Sequence, residues 1–334
     1  MYFDTILPID DLARVPAIAS AAERVGFDCL WTTETQHDPF LPLALAATST
    51  SRIGLGTAIA VAFPRSPTIT AHTAWDLARL SHGRFILGLG TQVKAHIERR
   101  FSVPWDAPVA RLRDYIGAVR AVWSSWQTGE RLRYEGEFYS LKLMTPFFNP
   151  GPIEHPDVPI YIAGVNKQLC VLAGEVCEGF HVHPLHTARY LREAVLPWLE
   201  EGLQKADRKR EDLQVATVDF VITGATDEER EAQREVVRRQ IAFYASTPTY
   251  RTLLALHGWE ERGEQLSALA SQGRWGEMSA LVTDDMLNEF AVEGETLADA
   301  AKKLGERYAG LLDRTAFYLP FVPGERDEEW RVAV

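Results

Sequence analysis

Short apolar runs alternate with longer amphipathic stretches from the first residues of the chain, a rhythm that predicts repeated strand–helix units. Tyr2–Leu7 reads as a strand. Asp10 or Asp11 then caps a helix through Arg24, with Val15, Ile18, Ala19 and Ala22 on one face and Gly26 ending it. Phe27–Thr33 is a second strand, Leu41–Thr50 a small-residue helix, Ile53–Val61 a third strand, Pro67–Leu80 a helix and Arg84–Gly88 a fourth strand. Leu112, Tyr115, Ile116, Val119 and Val122 fall at helical spacing and predict a helix over Arg111–Trp126. The rhythm then breaks. Gly129–Pro159 carries short aromatic runs and five prolines, and reads as an excursion with a hairpin around Glu135-Gly136-Glu137. Alternation resumes with a strand at Pro159–Ala163, a helix at Asn166–Val176, a strand at Gly179–Val182, a helix ending near Ala206 and a strand at Gln214–Ile222. Asp227–Gln240 is a charged helix with a solvated face, on which Glu235 and Arg239 form a favourable i,i+4 pair. It opens a helical insertion over 226–292, followed by a helix at Leu297–Tyr308, a strand at Thr315–Leu319 and a terminal helix at Asp327–Val334.

Eight strand candidates separated by helices predict one (β/α)8 TIM barrel over 1–334, with insertions at about 129–158 and 226–292. A dinucleotide-binding doubly wound sheet would need G-x-G-x-x-G after the first strand. Gly88-Leu89-Gly90 follows the fourth and lacks the third glycine. The third and fourth strands end alike, in Gly54-Leu55-Gly56-Thr57 and Gly88-Leu89-Gly90-Thr91. Glycine at a strand end usually marks a close backbone approach, often to a ligand. The loops after these two strands are therefore where a ligand is expected.

A hydrophobic fraction of 46% in 334 residues supplies a sizeable core, and no apolar run reaches the ~18 residues that span a bilayer. The formal net charge of −11 disfavours nucleic acid as a partner, so an anionic ligand would need local amides and a few cations. The first residues carry no basic patch or cleavage site, and three cysteines form no CxxC. Both features point to a reducing, cytoplasmic setting.

Barrel enzymes react at the C-terminal ends of their strands. After strand two come Glu34, Thr35, Gln36, His37 and Asp38; His37 suits acid–base work, tuned by Glu34 or Asp38, or the stretch is a capping loop with a solvated histidine. Thr91, Gln92 and His96 follow strand four. Gly164-Val165-Asn166 ahead of a helix is a ready anion site, or an ordinary turn. His181 and His183 share a strand face and line a pocket; no carboxylate or cysteine completes a metal set around them. Cys170 and Cys177, seven apart on one helical face, read as packing.

Gly26-Phe27-Asp28-Cys29-Leu30-Trp31-Thr32-Thr33-Glu34, Asp38-Pro39-Phe40, Arg52–Pro67 and Ser81–Thr91 together resemble the bacterial luciferase-like superfamily of flavin and deazaflavin oxidoreductases. The resemblance extends to Pro159–Ala163 and Glu178-Gly179. Gly90-Thr91-Gln92 with Lys94–Arg99, and the stretch from Tyr244 through Pro248 to Tyr250, are most similar to the branch that uses coenzyme F420. The resemblance implies an insertion-bearing barrel with the cofactor ring across its mouth, backed by a non-prolyl cis peptide at Ala58–Ile59. It places Gly90, Thr91, Gln92 and His96 at the ring edge, and Ala163, Gly164, Val165, His181 and His183 around the phosphate tail. It also implies a homodimer. Relatives carry a histidine directly after the acidic residue of strand two. Here that position is Thr35, so the role passes to His37, to Glu34 or to His96, or hydride transfer proceeds without a strong acid.

The expected function is an F420-dependent oxidoreductase moving a hydride between the deazaflavin and a small organic substrate, without nucleic acid, membrane or metal. The alternatives are a reduced-FMN-dependent monooxygenase of the same superfamily and a non-catalytic flavin-binding protein.

Overall fold

The computed structural model of the protein describes residues 1–8 and 10–334. Eight parallel strands close on themselves: β1 (Tyr2–Ile6), β2 (Cys29–Thr32), β3 (Gly54–Thr57), β4 (Phe85–Gly90), β5 (Ile160–Gly164), β6 (Gly179–Val182), β7 (Gln214–Thr223) and β8 (Arg314–Phe317). Each pairs with the next, and β8 returns to β1 with Tyr2 opposite Arg314, which makes the (β/α)8 barrel.

Strand alternation divides the side chains between two environments. Leu30, Leu55, Leu87, Leu89, Ile160, Ile162, Phe180 and Val215 point outward into the main core shared with the helices. Cys29, Trp31, Tyr161 and Ala216 point inward, with Ala58 and Ile86 packed on them. Both faces of a parallel strand are thus buried, which is why the strands read as apolar runs. The helices start where the sequence offers a cap: Ser66 accepts from Ile69 N at 3.2 Å, Asn166 from Leu169 N at 3.0 Å, and Thr226 and Glu229 form a reciprocal capping box.

The Ala58–Ile59 peptide is cis, as the resemblance implies, and it divides the third strand: pairing stops at Thr57, and Ala60–Val61 resumes alongside Leu89 and Gly90. Three details depart from the sequence expectation. An unexpected helix, Lys94–Arg99, follows β4. The insertion after β7 ends in a strand, Ala291–Gly294, because β7 outruns the barrel and its last residues, Phe220–Thr223, need a partner. The helix ahead of Lys205 opens with a wide turn at Leu191–Val195; Pro197 lies just beyond and has no N–H to continue a regular ladder. In the excursion, Tyr134–Glu135 pairs with Ser140–Leu141 as the hairpin. All three cysteines are buried and free, Cys177 lying one residue past the helix that carries Cys170.

Candidate active site at the barrel mouth

The lower interior of the barrel is a closed polar lattice. Arg314 donates two hydrogen bonds to Asp4, at 2.9 and 2.7 Å, and the indole N–H of Trp31 donates a third at 2.8 Å. Gln214 Oε1 accepts from the Tyr161 hydroxyl at 2.5 Å and lies 3.4 Å from Arg314 Nη1. Burial pushes the Asp4 carboxyl up to about 6, against the opposing pull of the Arg314 charge. His181 sits on top of this lattice. Its ring meets Trp31 edge-on at 4.8 Å and Tyr161 at 5.4 Å, and its Nε2 is sealed from solvent with no partner. Burial and the Arg314 charge hold it down at about 3, so it is a neutral imidazole.

The strand-end glycines approach protein atoms. A Cβ at Gly56 would lie 2.2 Å from the Trp31 ring, and one at Gly90 would lie 2.6 Å from Ile59 Cδ1. Gly56 makes room for the indole that donates to Asp4. Gly90 lets the Ile59 side chain lie against β4. They shape the floor by what they admit beneath it.

Above that layer the Ala58–Ile59 backbone forms the floor. Ala58 N donates to Thr32 O at 2.7 Å, Glu34 N to Ile59 O at 3.3 Å and Ala62 N to Gly90 O at 3.0 Å, so β2, β3 and β4 are tied together at their ends. Glu34 is committed to the same knot. Its Oε2 accepts from Val61 N and from Arg65 Nη1, both at 2.7 Å, while Arg65 Nη2 reaches Asp38 at 3.3 Å. The Glu34 side chain is 7% exposed, so its charge is compensated by Arg65 inside a nearly dry site. Gln92 follows with a left-handed backbone (φ 59°) and accepts from Val93 N through its own side chain, while buried Thr91 donates to Gln92 O.

His37 and His96 are both exposed and make no side-chain hydrogen bond among the described residues. Arg100, just past the helix of His96, donates to Thr35 O at 2.5 Å and fastens the two loops together. On the far side, Asn166 has already taken Leu169 N as a helix cap. A Cβ at Gly164 would lie 2.5 Å from Leu169 Cβ, so this glycine serves helix packing. Val165 O accepts from the Tyr190 hydroxyl at 3.1 Å, and Ala163 at the end of β5 pairs in register with His181.

The remaining wall is aromatic. His183 meets Tyr244 edge-on at 4.6 Å and Tyr250 at 4.8 Å, Phe220 meets Tyr318 at 5.3 Å, and the Tyr244 and Tyr318 hydroxyls are 2.9 Å apart. Phe220, Tyr318 and Arg65 are absent from the residues singled out by sequence. The signal for Tyr318 was available, since it continues the inward alternation of Arg314 and Ala316 one step beyond β8. Among the described residues no group of three or more His, Cys, Asp or Glu side chains could hold a metal ion, and no helix is long and apolar enough to cross a membrane.

The family model for luciferase-like monooxygenases matches residues 4–315. An uncharacterized protein of Mycobacterium tuberculosis strain H37Rv is 48% identical over 307 residues, covering 91% of this chain and 89% of its own. A putative coenzyme F420-dependent oxidoreductase of the same strain is 30% identical over 297 residues, 83% of each chain. Among solved structures, the coenzyme F420-dependent tetrahydromethanopterin reductase of Methanopyrus kandleri shares the fold, with a TM-score of 0.80 at 23% identity over 99% of this chain and 96% of that one.

Proposed function

The chain belongs to the luciferase-like monooxygenase family, and we propose that within it the protein is a coenzyme F420-dependent oxidoreductase, moving a hydride between the deazaflavin and a small organic substrate. The observation that carries this reading is the mouth itself: the cis backbone segment at Ala58–Ile59 under a wall of His183, Tyr244, Tyr250 and Tyr318, with the nearby charges of Glu34 and Arg65 paired. Such a site suits a flat, largely neutral ring. The 30% identical relative, whose name includes that coenzyme, supports the choice of deazaflavin.

When bound, the deazaflavin supplies the hydride chemistry, and the protein supplies position and electrostatics. Ala58, Ile59 and Gly90 would back the ring, with Thr91 and Gln92 at its edge. The free amides at the start of the Lys167–Val176 helix, with Gly164 and Val165, would receive the phosphate. Glu34 holds Arg65 and the Val61 amide, and so positions the floor. His37, exposed at the end of the second strand, would be the acid–base group, and His37→Ala should lower turnover by about a hundredfold while leaving cofactor affinity intact. Unchanged turnover would remove it from the mechanism.

The test of the reading is a fluorescence titration of the apoprotein with F420 and with FMN. The expected result is F420 binding at least about tenfold tighter than FMN. The family's own description favours a second reading, a reduced-FMN monooxygenase. Micromolar FMN binding with none of the deazaflavin, together with oxygen uptake, would establish it in place of the first.

A further inference from the structure

His181 and His183 lie two apart and face the same way from one strand end, yet only the upper one has a defined hydrogen-bonding role to play. Leu185 N donates to His183 Nδ1 at 3.0 Å. A backbone amide can only donate, so Nδ1 must be the unprotonated acceptor and the imidazole hydrogen must sit on Nε2. Among the described residues Nε2 has no protein partner, and it is not sealed as the Nε2 of His181 is. The ring is held on two sides, by Tyr244 at 4.6 Å and Tyr250 at 4.8 Å, and its carbonyl is fixed by His186 Nδ1 at 3.0 Å.

We propose that His183 is the fixed, uncharged hydrogen-bond donor of the mouth, its Nε2–H directed at a carbonyl oxygen of the bound ligand. The proton stays on the ring, so the role is polarisation and orientation rather than transfer. It rests on the reading of the mouth as the ligand site. Burial and the neighbouring His186 hold His183 down at about 3, which favours the neutral ring near pH 7. The titratable groups packed against it, His186, Tyr244 and Tyr250, leave it without an anion to stabilise a charge.

Two variants separate the donor from the cap. In His183→Asn the amide oxygen can replace Nδ1 toward Leu185 N, but nothing reaches the place of Nε2–H. In His183→Gln the longer amide can replace Nε2–H and the cap is lost. The expected pattern is crossed: Asn keeps thermal stability and loses ligand recognition by about tenfold, while Gln loses stability and keeps recognition within about threefold. If the acceptor is a cofactor carbonyl, the Asn variant loses affinity in the F420 or FMN titration. If it belongs to the substrate, both variants bind cofactor normally and the Asn variant loses kcat with cyclohex-2-en-1-one as the probe.

Nitrogen-15 correlation spectra of the cofactor-free protein should show His183 as the Nε2–H tautomer without titration between about pH 5 and 8. An Nδ1–H tautomer, a midpoint near 6, or two variants with equal recognition would overturn the proposal. Failure of the wild-type protein to bind either cofactor would instead overturn the functional reading. In that case a shift of the Nε2 signal on adding the enone decides for the donor, and no shift decides against it.

Discussion

Below the Ala58–Ile59 floor the barrel interior is a closed polar lattice, and above it the same inward-facing positions open into an aromatic-walled mouth. The lower layer joins Asp4, Trp31, Tyr161, Gln214 and Arg314 through directed hydrogen bonds. In the aromatic wall of the upper layer the Tyr244 and Tyr318 hydroxyls are linked, and the other contacts there are ring against ring. The contrast shows how a barrel can be rigid and receptive at once. A satisfied lattice fixes the strands from beneath, and the groups left with free donors are those that ligands can reach.

The division predicts effects of different kinds on the two sides of the floor. The largest belongs to Arg314→Leu, which leaves the Asp4 carboxylate buried without its guanidinium. Urea unfolding should show a loss of about 3–5 kcal/mol, largely recovered in the Asp4→Asn, Arg314→Leu double variant. A loss below about 1 kcal/mol would mean that the lattice does not hold the barrel.

Next comes pH. The folded-state value of Asp4, about 6, lies above its ordinary 3.8. Its contribution to stability is therefore fully present below that lower value and is lost as pH rises through the upper one. Replacing it in Asp4→Asn should remove this component, visible as a different slope of unfolding free energy between about pH 4 and 6. Identical slopes would show that Asp4 does not titrate in that window.

Gly56→Ala tests the boundary between the layers. Its methyl would lie 2.2 Å from the Trp31 ring. The indole is anchored to Asp4, so the cost should be about 1–3 kcal/mol in thermal or denaturant unfolding. A neutral result would show that Trp31 can move, and with it the floor. The smallest stability effect is expected at the mouth, where Tyr318→Phe removes the hydroxyl partner of Tyr244. About 0.5–1.5 kcal/mol of stability is at stake. Ligand titration, rather than unfolding, should register most of the change, and the reverse ordering would erase the distinction between the two layers.

Much of this architecture was legible along the chain. Strand and helix positions followed from apolar periodicity, as in the helix carrying Leu112, Tyr115, Ile116, Val119 and Val122, because that signal acts within a few residues of itself. The break in the third strand was legible only through family resemblance, since the apolar run from Ile53 to Val61 carries no local mark of interruption. The strand at Ala291–Gly294 was missed because its reason lies in the unpaired end of β7, some seventy residues earlier.

The chemistry of the site divides in the same way. The sequence by itself determined that histidines, glycines and carboxylates would gather at the strand ends, because a parallel barrel places those ends on one rim. Only the tertiary structure decided what each does there. Glu34 became a partner of Arg65, Gly56 and Gly90 became space for Trp31 and Ile59, and of the two histidines His181 had its Nε2 sealed while His183 took the Leu185 amide on its Nδ1. The physical reason is that protonation, tautomer and accessibility depend on groups brought together in space. Asp4 and Arg314 meet across 310 residues, and no local pattern could announce them to each other.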